Sequence, residues 1–464
     1  MQNVLIIIFG ITGDLAKRKL IPALYHLYAQ NLLQQSAIIG VAHQVTSIAE
    51  VLQATRAHVE EIDQKKWDAF TQLFSYVACD VTSSSEMKQL AQYLDRWQQG
   101  HEPGNRLFYC AISAHLFLPL TQLLSTQAIC KKIGPHEPIW HRIVYEKPFG
   151  HDLQSAHAIN ECIVQHIYES QIYRIDHYLT KEMVSNIALV RFTNCFFEPL
   201  WNKKYIEAVH IVLHEERGIE GRGAYFDNYG TLRDVVQNHM LQMLALIAME
   251  PPKSLAGEAI RDARAQVLAQ IQYVDGILGQ YRGYKEELHV NPESTTDTFA
   301  LLKMQIKNDR WDGVPFFLYA GKKLYESKVA IHIKFKPAKY LLPKDHSVAS
   351  NWLTFQLSPE GTFLLQINVR KIGNVDSLMP INMEFCHSCA FGSRSSMAYE
   401  TLLQDILSGQ TASVVRCDEI EYSWKVIDAI KKEQLPLYVY KTGTQGPDQV
   451  RDYAKKWHMG DLPE

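Results

Sequence analysis

Two textures of hydrophobic and polar positions follow one another along the chain. Up to about residue 176, short apolar runs at 4–9, 37–42, 76–79, 107–112 and 143–145 alternate with longer amphipathic stretches at 48–62, 85–97 and 155–166. Runs of that length read as buried strands and the stretches between them as helices, so the pattern predicts βαβ units feeding a parallel sheet. Beyond about residue 200 the texture changes. Val209, Ile211 and Leu213 alternate with less apolar neighbours, and apolar runs at 299–306, 314–320, 329–335, 352–357 and 363–369 crowd together. That spacing predicts hairpins in a mixed or mainly antiparallel sheet. Helical patterns at 232–249, 397–407 and 420–430 interrupt and end this region, and no internal repeat or low-complexity tract breaks it.

A length of 464 residues exceeds what one ordinary core supports, so two domains are expected, 1–176 and 177–464. With 47% hydrophobic and 21% charged residues the composition is that of a globular protein. The formal charge of −3 gives no electrostatic reason to expect nucleic acid or an anionic membrane as partner. No run is long enough to span a bilayer. The apolar start at 4–9 is shorter than the core of an export signal and no basic residue precedes it, which leads us to expect a cytoplasmic protein. Of the eight cysteines only Cys386 and Cys389 form a CxxC pair, and no further Cys or His pair completes a zinc set. We expect a pair of buried or half-buried thiols there and no metal.

Residues 4–20 read VLIIIFGITGDLAKRKL. A strand runs into Gly10, and Gly13 follows just before a helical start at Asp14. Glycine lacks the Cβ that blocks close approach, so backbone N–H groups can face a pyrophosphate at a helix N-terminus, with Lys17 and Lys19 adding charge. A tight strand–helix turn without a ligand would carry similar residues. Pro22 does not suit a helix interior, so the main helix is expected to restart near it. Taken with the alternating pattern, this makes the first domain an α/β Rossmann-like dinucleotide-binding domain, followed by an α+β domain with a large, mainly antiparallel sheet.

Three further segments carry chemistry. RIVYEKPFG (142–150) delivers Glu146 and Lys147 to the carboxyl end of a strand, where open α/β sheets bind ligands; the alternative is a plain surface lysine. YRIDHYLTKE (173–182) clusters Asp176, His177, Tyr178 and Lys181, whose imidazole, phenol and ammonium donate to phosphate oxygens. His177 and Lys181 share a face if a helix begins there, and the alternative is a solvated polar cap. In LRDVVQNHMLQMLALIAM (232–249), His239 sits at the edge of a buried stripe made by Leu232, Val235, Val236, Met240, Met243 and Ile247. A histidine there is either a satisfied core residue or, with a carboxylate to orient it, a base. On an α-helix Asp234 lies about 140° away from it, which argues against Asp234 as that carboxylate.

In their order, the segments FGITGDLAKRKL, NRLFYCA, RIVYEKPFGHDLQSA, IYRIDHYLTKEMVSNI, EGRGAYFDNYG and LRDVVQNHMLQML resemble those of glucose-6-phosphate dehydrogenases, and the tail segments YETLLQDILSGQ and SWKVID follow the same family. The resemblance covers nearly the whole chain. It implies oxidation of glucose 6-phosphate at C1 to the lactone, with hydride passing to NADP, as the opening step of the oxidative pentose phosphate route. His239 is then the general base and Asp176 its orienting carboxylate. His177, Tyr178 and Lys181 hold the sugar phosphate, Glu215, Asp234 and Lys322 bind the sugar, and Lys147 bridges substrate and cofactor. Gly10, Thr12, Gly13, Asp14, Leu15, Lys17, His43 and Tyr109 line the dinucleotide. A homodimer or homotetramer is implied in the same way.

Four departures from the family pattern modify these expectations. His43 stands where an arginine usually binds the 2′-phosphate of NADP, and neutral imidazole is the poorer phosphate ligand, so use of NAD as well is expected. Ser327 replaces a basic residue, with Lys328 beside it. Ser113 and Ala114 replace prolines after the FYCA strand. Tyr319 and His332 replace arginines that hold a second, structural NADP in animal relatives, so only the catalytic dinucleotide is expected. The rivals are a non-catalytic descendant that binds sugar phosphate or nucleotide, and a dehydrogenase of another hexose. The presence of His239 and Asp176 argues against the first. That of His177, Tyr178 and Lys181 argues against an unphosphorylated substrate.

Overall fold

Six consecutive apolar residues form an interior strand of the first sheet, β1 (Val4–Phe9), and all six are buried. A strand buried on both faces reads as a continuous apolar run and not as an alternation. The computed structural model describes residues 4–33, 35–99, 104–134, 136–338, 348–359, 361–371, 378–386, 398–460 and 462. Around β1 stand β2 (Ser36–Ala42), β3 (Phe74–Ala78), β4 (Asn105–Cys110), β5 (His141–Tyr145) and β6 (Ile172–Ile175), in the order β6–β5–β4–β1–β2–β3 and all parallel. Every predicted strand of this half is present to within two residues at either end. The predicted helix 48–62 stops at Arg56. Asp63 caps a separate helix, Gln64–Thr71, by accepting the N–H of Lys66 at 3.1 Å. After the glycine turn the chain makes a π-helix, Ala16–Leu20, and the α-helix Ile21–Ala29 then starts with Pro22 in its first turn, as expected of proline.

The chain divides into two compact units, and neither is one continuous stretch. The first comprises Met1–Thr180, Leu255–Arg261 and Ser396–Glu421, whereas a single cut after residue 176 was expected from the sequence. The reason is packing. Leu402, Leu403, Ile406 and Leu407 of the helix Ala398–Ser408 join the core formed by β1 and the helix Ile21–Ala29. The two-residue strand Val414–Val415 adds to the edge of the first sheet, antiparallel to β6. Arg142 donates to the carbonyls of Ile406 and Leu407 at 2.6 and 3.0 Å, closing the end of that helix.

The second unit is built on nine strands. These are β7 (Ile206–His214), β8 (Ile271–Tyr281), β9 (Phe299–Ile306), β10 (Phe316–Gly321), β11 (Lys328–Phe335), β12 (Trp352–Ser358), β13 (Thr362–Arg370), β14 (Leu378–Cys386) and, after Val414–Val415 as β15, β16 (Leu437–Tyr440). Their order is β14–β13–β12–β11–β7–β10–β9–β8–β16, antiparallel except where β7 meets β10 and β8 meets β16. One face packs an aromatic core of Tyr281, Phe299, Phe317, Tyr319 and Tyr440 beneath Trp457, whose ring stacks on Phe317 at 5.8 Å. At the β14 edge the cover ends: Met379, Ile381, Met383 and Phe385 are exposed.

Cys386 closes β14 and is disulfide-bonded, which corrects the expectation of a thiol at that position. Cys389 lies outside the described residues. Among the described residues no helix is long and apolar enough to cross a membrane.

Candidate active site

In the first unit, the predicted residues gather where the parallel strands end. Gly10 follows β1, His43 follows β2, Glu146 and Lys147 follow β5, and Asp176 follows β6. Those strands run side by side, so their carboxyl ends form one edge, the place where an open α/β sheet binds ligands. Gly10 has φ +82°, and a Cβ there would strike the carbonyl of Ala111. Its own N–H donates to Val41 at 2.7 Å, and Gly13 donates to the Gly10 carbonyl at 2.9 Å, which completes the turn. Gly13 and Asp14 are exposed, Thr12, Leu15 and Lys17 are half-buried, and the helix begins at Asp14. A tight glycine turn, side-chain-free at Gly13 and leading into a helix start, fits a pyrophosphate. His43 is exposed one residue beyond β2, as a ribose-phosphate ligand must be.

Tyr109, expected to line the cofactor, has a partner inside the first unit. It is 1% exposed in the core, and its hydroxyl donates to Glu146 Oε1 at 2.6 Å. Tyr399 donates to the same oxygen at 3.3 Å. Burial pushes the Glu146 carboxyl up, and the two phenols and Lys147 pull it back. The carboxylate therefore anchors the chain immediately before the Lys147–Pro148 bond, which is cis. No sequence signal singles out Tyr399, because its partner lies 253 positions away.

Asp176 is 2% exposed and bends the chain on itself: its Oδ1 accepts the N–H of Tyr178 at 2.9 Å, and its carbonyl accepts that of Leu179 at 3.0 Å. Such Asx-type turns displace helix. The helix begins only at Glu182, with Lys181 as its N-cap, so His177 and Lys181 do not share a helical face. His177 and Tyr178 are half-buried with ring centroids 5.0 Å apart.

In the second unit, the predicted helix 232–249 forms in two parts, a π-helix Leu232–Met240 and an α-helix Leu241–Ala248. A π-helix bonds residue i to i+5, so residues five apart stack one turn above the other. Asp234 and His239, which an α-helix would place about 140° apart, thus ride on the same side. Both are buried, at 7% and 3% exposure. Tyr225 donates to Asp234 Oδ1 at 3.3 Å. Lys322, 2% exposed, meets the half-buried Glu215 in an ion pair of 2.5 Å. Ser327 does not stand idle: its hydroxyl accepts the N–H of Glu216 at 3.0 Å, holding the turn that presents Glu215.

Tyr319 and His332 are buried in the sheet. The first donates to the carbonyl of Gln445, and the second shares a 2.9 Å hydrogen bond with Thr354. Ser113 opens the short 3₁₀ turn Ala114–Leu116 after β4.

Residues 7–186 match the glucose-6-phosphate dehydrogenase NAD binding domain, and residues 188–459 match the C-terminal domain of the same family. The chain belongs to the glucose-6-phosphate dehydrogenase family. Among its relatives, glucose-6-phosphate 1-dehydrogenase of Bacillus subtilis (strain 168) is 35% identical, over 97% of this chain and 96% of that one. Glucose-6-phosphate 1-dehydrogenase 6, cytoplasmic, of Arabidopsis thaliana is 36% identical over 97% of this chain and 90% of its own. A solved glucose-6-phosphate dehydrogenase in complex with its substrate glucose-6-phosphate superposes with a TM-score of 0.92, covering 100% of this chain and 99% of that chain at 32% identity. The Rossmann-like first unit and the mainly antiparallel sheet of the second are thus the family's architecture.

Proposed function

We propose that this chain oxidises glucose 6-phosphate at C1 to 6-phosphogluconolactone, the first step of the oxidative pentose phosphate route, with NADP as acceptor and NAD as a second one. The observation that carries the reading is the match of the family's N-terminal and C-terminal domains to residues 7–186 and 188–459. When bound, the nicotinamide takes up the hydride released from C1. His239 removes the proton of the 1-hydroxyl as the hydride departs, and Asp176 orients His239 and stabilises its protonated form. His177, Tyr178 and Lys181 hold the phosphate; Glu215, Asp234 and Lys322 receive the sugar. Lys147 would bridge substrate and cofactor.

Gly10, Thr12, Gly13, Asp14, Leu15, Lys17 and His43 would hold the dinucleotide, with Tyr109 acting through Glu146. The exposed His43 in place of an arginine supports dual use of NADP and NAD. We further propose a homodimer, or a pair of dimers, through the outer face of the second sheet. Met379, Ile381, Met383 and Phe385 stand exposed on its edge strand, an apolar stripe that a second copy would cover. Six free cysteines among the described residues support a cytoplasmic setting, against the one disulfide-bonded cysteine, Cys386.

The test is steady-state reduction of NADP and of NAD by the full chain, with glucose 6-phosphate and with glucose. The reading expects turnover with the phosphorylated sugar and either acceptor. Absence of turnover with both acceptors overturns it.

A further inference from the structure

His239 and Asp234 ride on one π-helix, so whatever fixes the start of that helix fixes both. The chain reaches it through Gly230, whose backbone (φ +64°, ψ 178°) is outside the helical region, and then Thr231. Asp297, two residues before β9, grips this turn twice. Its carbonyl accepts the N–H of Thr231 at 2.9 Å, and its carboxylate Oδ2 accepts the N–H of Leu232 at 2.8 Å. The other carboxylate oxygen fills the space beside Gly230: a Cβ on residue 230 would lie 2.6 Å from Asp297 Oδ1. Helix starts leave N–H groups without intrahelical partners, and a charged acceptor satisfies one more strongly than a hydroxyl does.

The same stretch reaches the Lys322 side. The Thr298 carbonyl accepts the N–H of Lys322 at 3.0 Å. Tyr440 donates to the Lys322 carbonyl at 2.6 Å and lies 3.0 Å from Thr298 Oγ1. Residues 297 and 298 thereby tie the π-helix to the strand that presents Lys322.

We propose that Asp297 is a positioning residue of the reaction, its carboxylate setting the start and rotation of the π-helix that carries His239 and Asp234. The proposal rests on the reading of His239 as the base. Around Asp297 the titratable groups are Arg233 on the helix itself, Tyr284 beyond β8 and Tyr440 on β16. Desolvation pushes the Asp297 carboxyl up to about 6, against the pull of the Leu232 N–H and Arg233. A protonated acid accepts that N–H less strongly than the carboxylate.

The experiment compares wild type, Asp297→Ala, Asp297→Asn and His239→Asn, all as full chains with folding checked by circular dichroism. Asp297→Ala is expected to lower kcat about tenfold or more, with the KM for the dinucleotide within about twofold of wild type, since the dinucleotide residues lie in the other unit. Asp297→Asn keeps an acceptor for Leu232 and is expected to restore most of that loss. It also removes one titration, so its kcat falls less steeply between pH 7 and 5 than that of wild type. A folded Asp297→Ala enzyme with wild-type kcat overturns the proposal. So does an Asp297→Asn acid limb that superposes on wild type, and this second outcome decides the matter if the alanine variant does not fold. Turnover surviving in His239→Asn removes the base and the premise with it; its loss alongside an unaffected Asp297→Ala sinks the positioning role alone.

Discussion

The phenol of Tyr109 donates to the carboxylate of Glu146 at 2.6 Å, one residue before Lys147. A buried carboxylate held by neutral donors depends on them, and removing one leaves it poorly solvated. Tyr109→Phe should cost about 1–3 kcal/mol of stability, with a weaker grip on the dinucleotide because Lys147 loses its anchor. Urea unfolding and the KM for NADP measure the two effects. Unchanged values of both would reduce the contact to packing.

Replacing His239 by Asn removes a proton acceptor of the same shape. Turnover should fall by about 10²–10⁴-fold while glucose 6-phosphate still binds, because general-base catalysis of that size belongs to the transition state alone. Single-turnover rates and substrate titration separate the two quantities.

Lys181 is the N-cap residue of the helix Glu182–Thr193, and its ammonium is proposed to hold the sugar phosphate. Lys181→Ala should raise the KM for glucose 6-phosphate far more than that for glucose. Equal effects on the two sugars would place the ammonium elsewhere.

His43→Arg should move preference toward NADP by about tenfold or more, guanidinium being the bidentate phosphate ligand. The ratio of kcat/KM for the two dinucleotides reads this directly.

Stability should fall in acid. Desolvation pushes His141, His210 and His332 down to about 3, so all three stay neutral in the folded chain well below pH 6.5. Lys131 and Arg106 add to the effect on His141, Lys334 to that on His210, and Lys328, His210 and His214 to that on His332, where Glu326 opposes. The unfolded chain takes up those protons below about pH 6.5, so unfolding gains about 1.4 kcal/mol per pH unit for each histidine between there and pH 3. Urea unfolding at pH 7 and pH 5 tests the sign, and greater stability at pH 5 would contradict it.

What the sequence revealed, and what it hid, follows from how far each interaction reaches along the chain. Apolar runs such as Val4–Phe9 and Phe299–Ile306 are local, and the strands coincide with them. β6 escaped because Arg174 interrupts its apolar run; the side chain is buried, and Glu169 pairs with it at 2.5 Å. β14 was not among the expected strands; it contains Pro380, which a sheet tolerates at its edge, where β14 lies. Asp234 was set aside on α-helical geometry that a π-helix does not obey. Asp297, Tyr399 and Tyr440 act through partners 65, 253 and 118 positions away, distances no periodicity encodes.

The tail that returns to the first sheet has a consequence for synthesis. Strand Val414–Val415 and the helix Ala398–Ser408 complete a core whose other strands are made first, so the earliest half of the polypeptide waits for nearly the last. On the ribosome the nucleotide-binding half is begun first and finished late, with one flank of its sheet bare until about residue 415 has emerged.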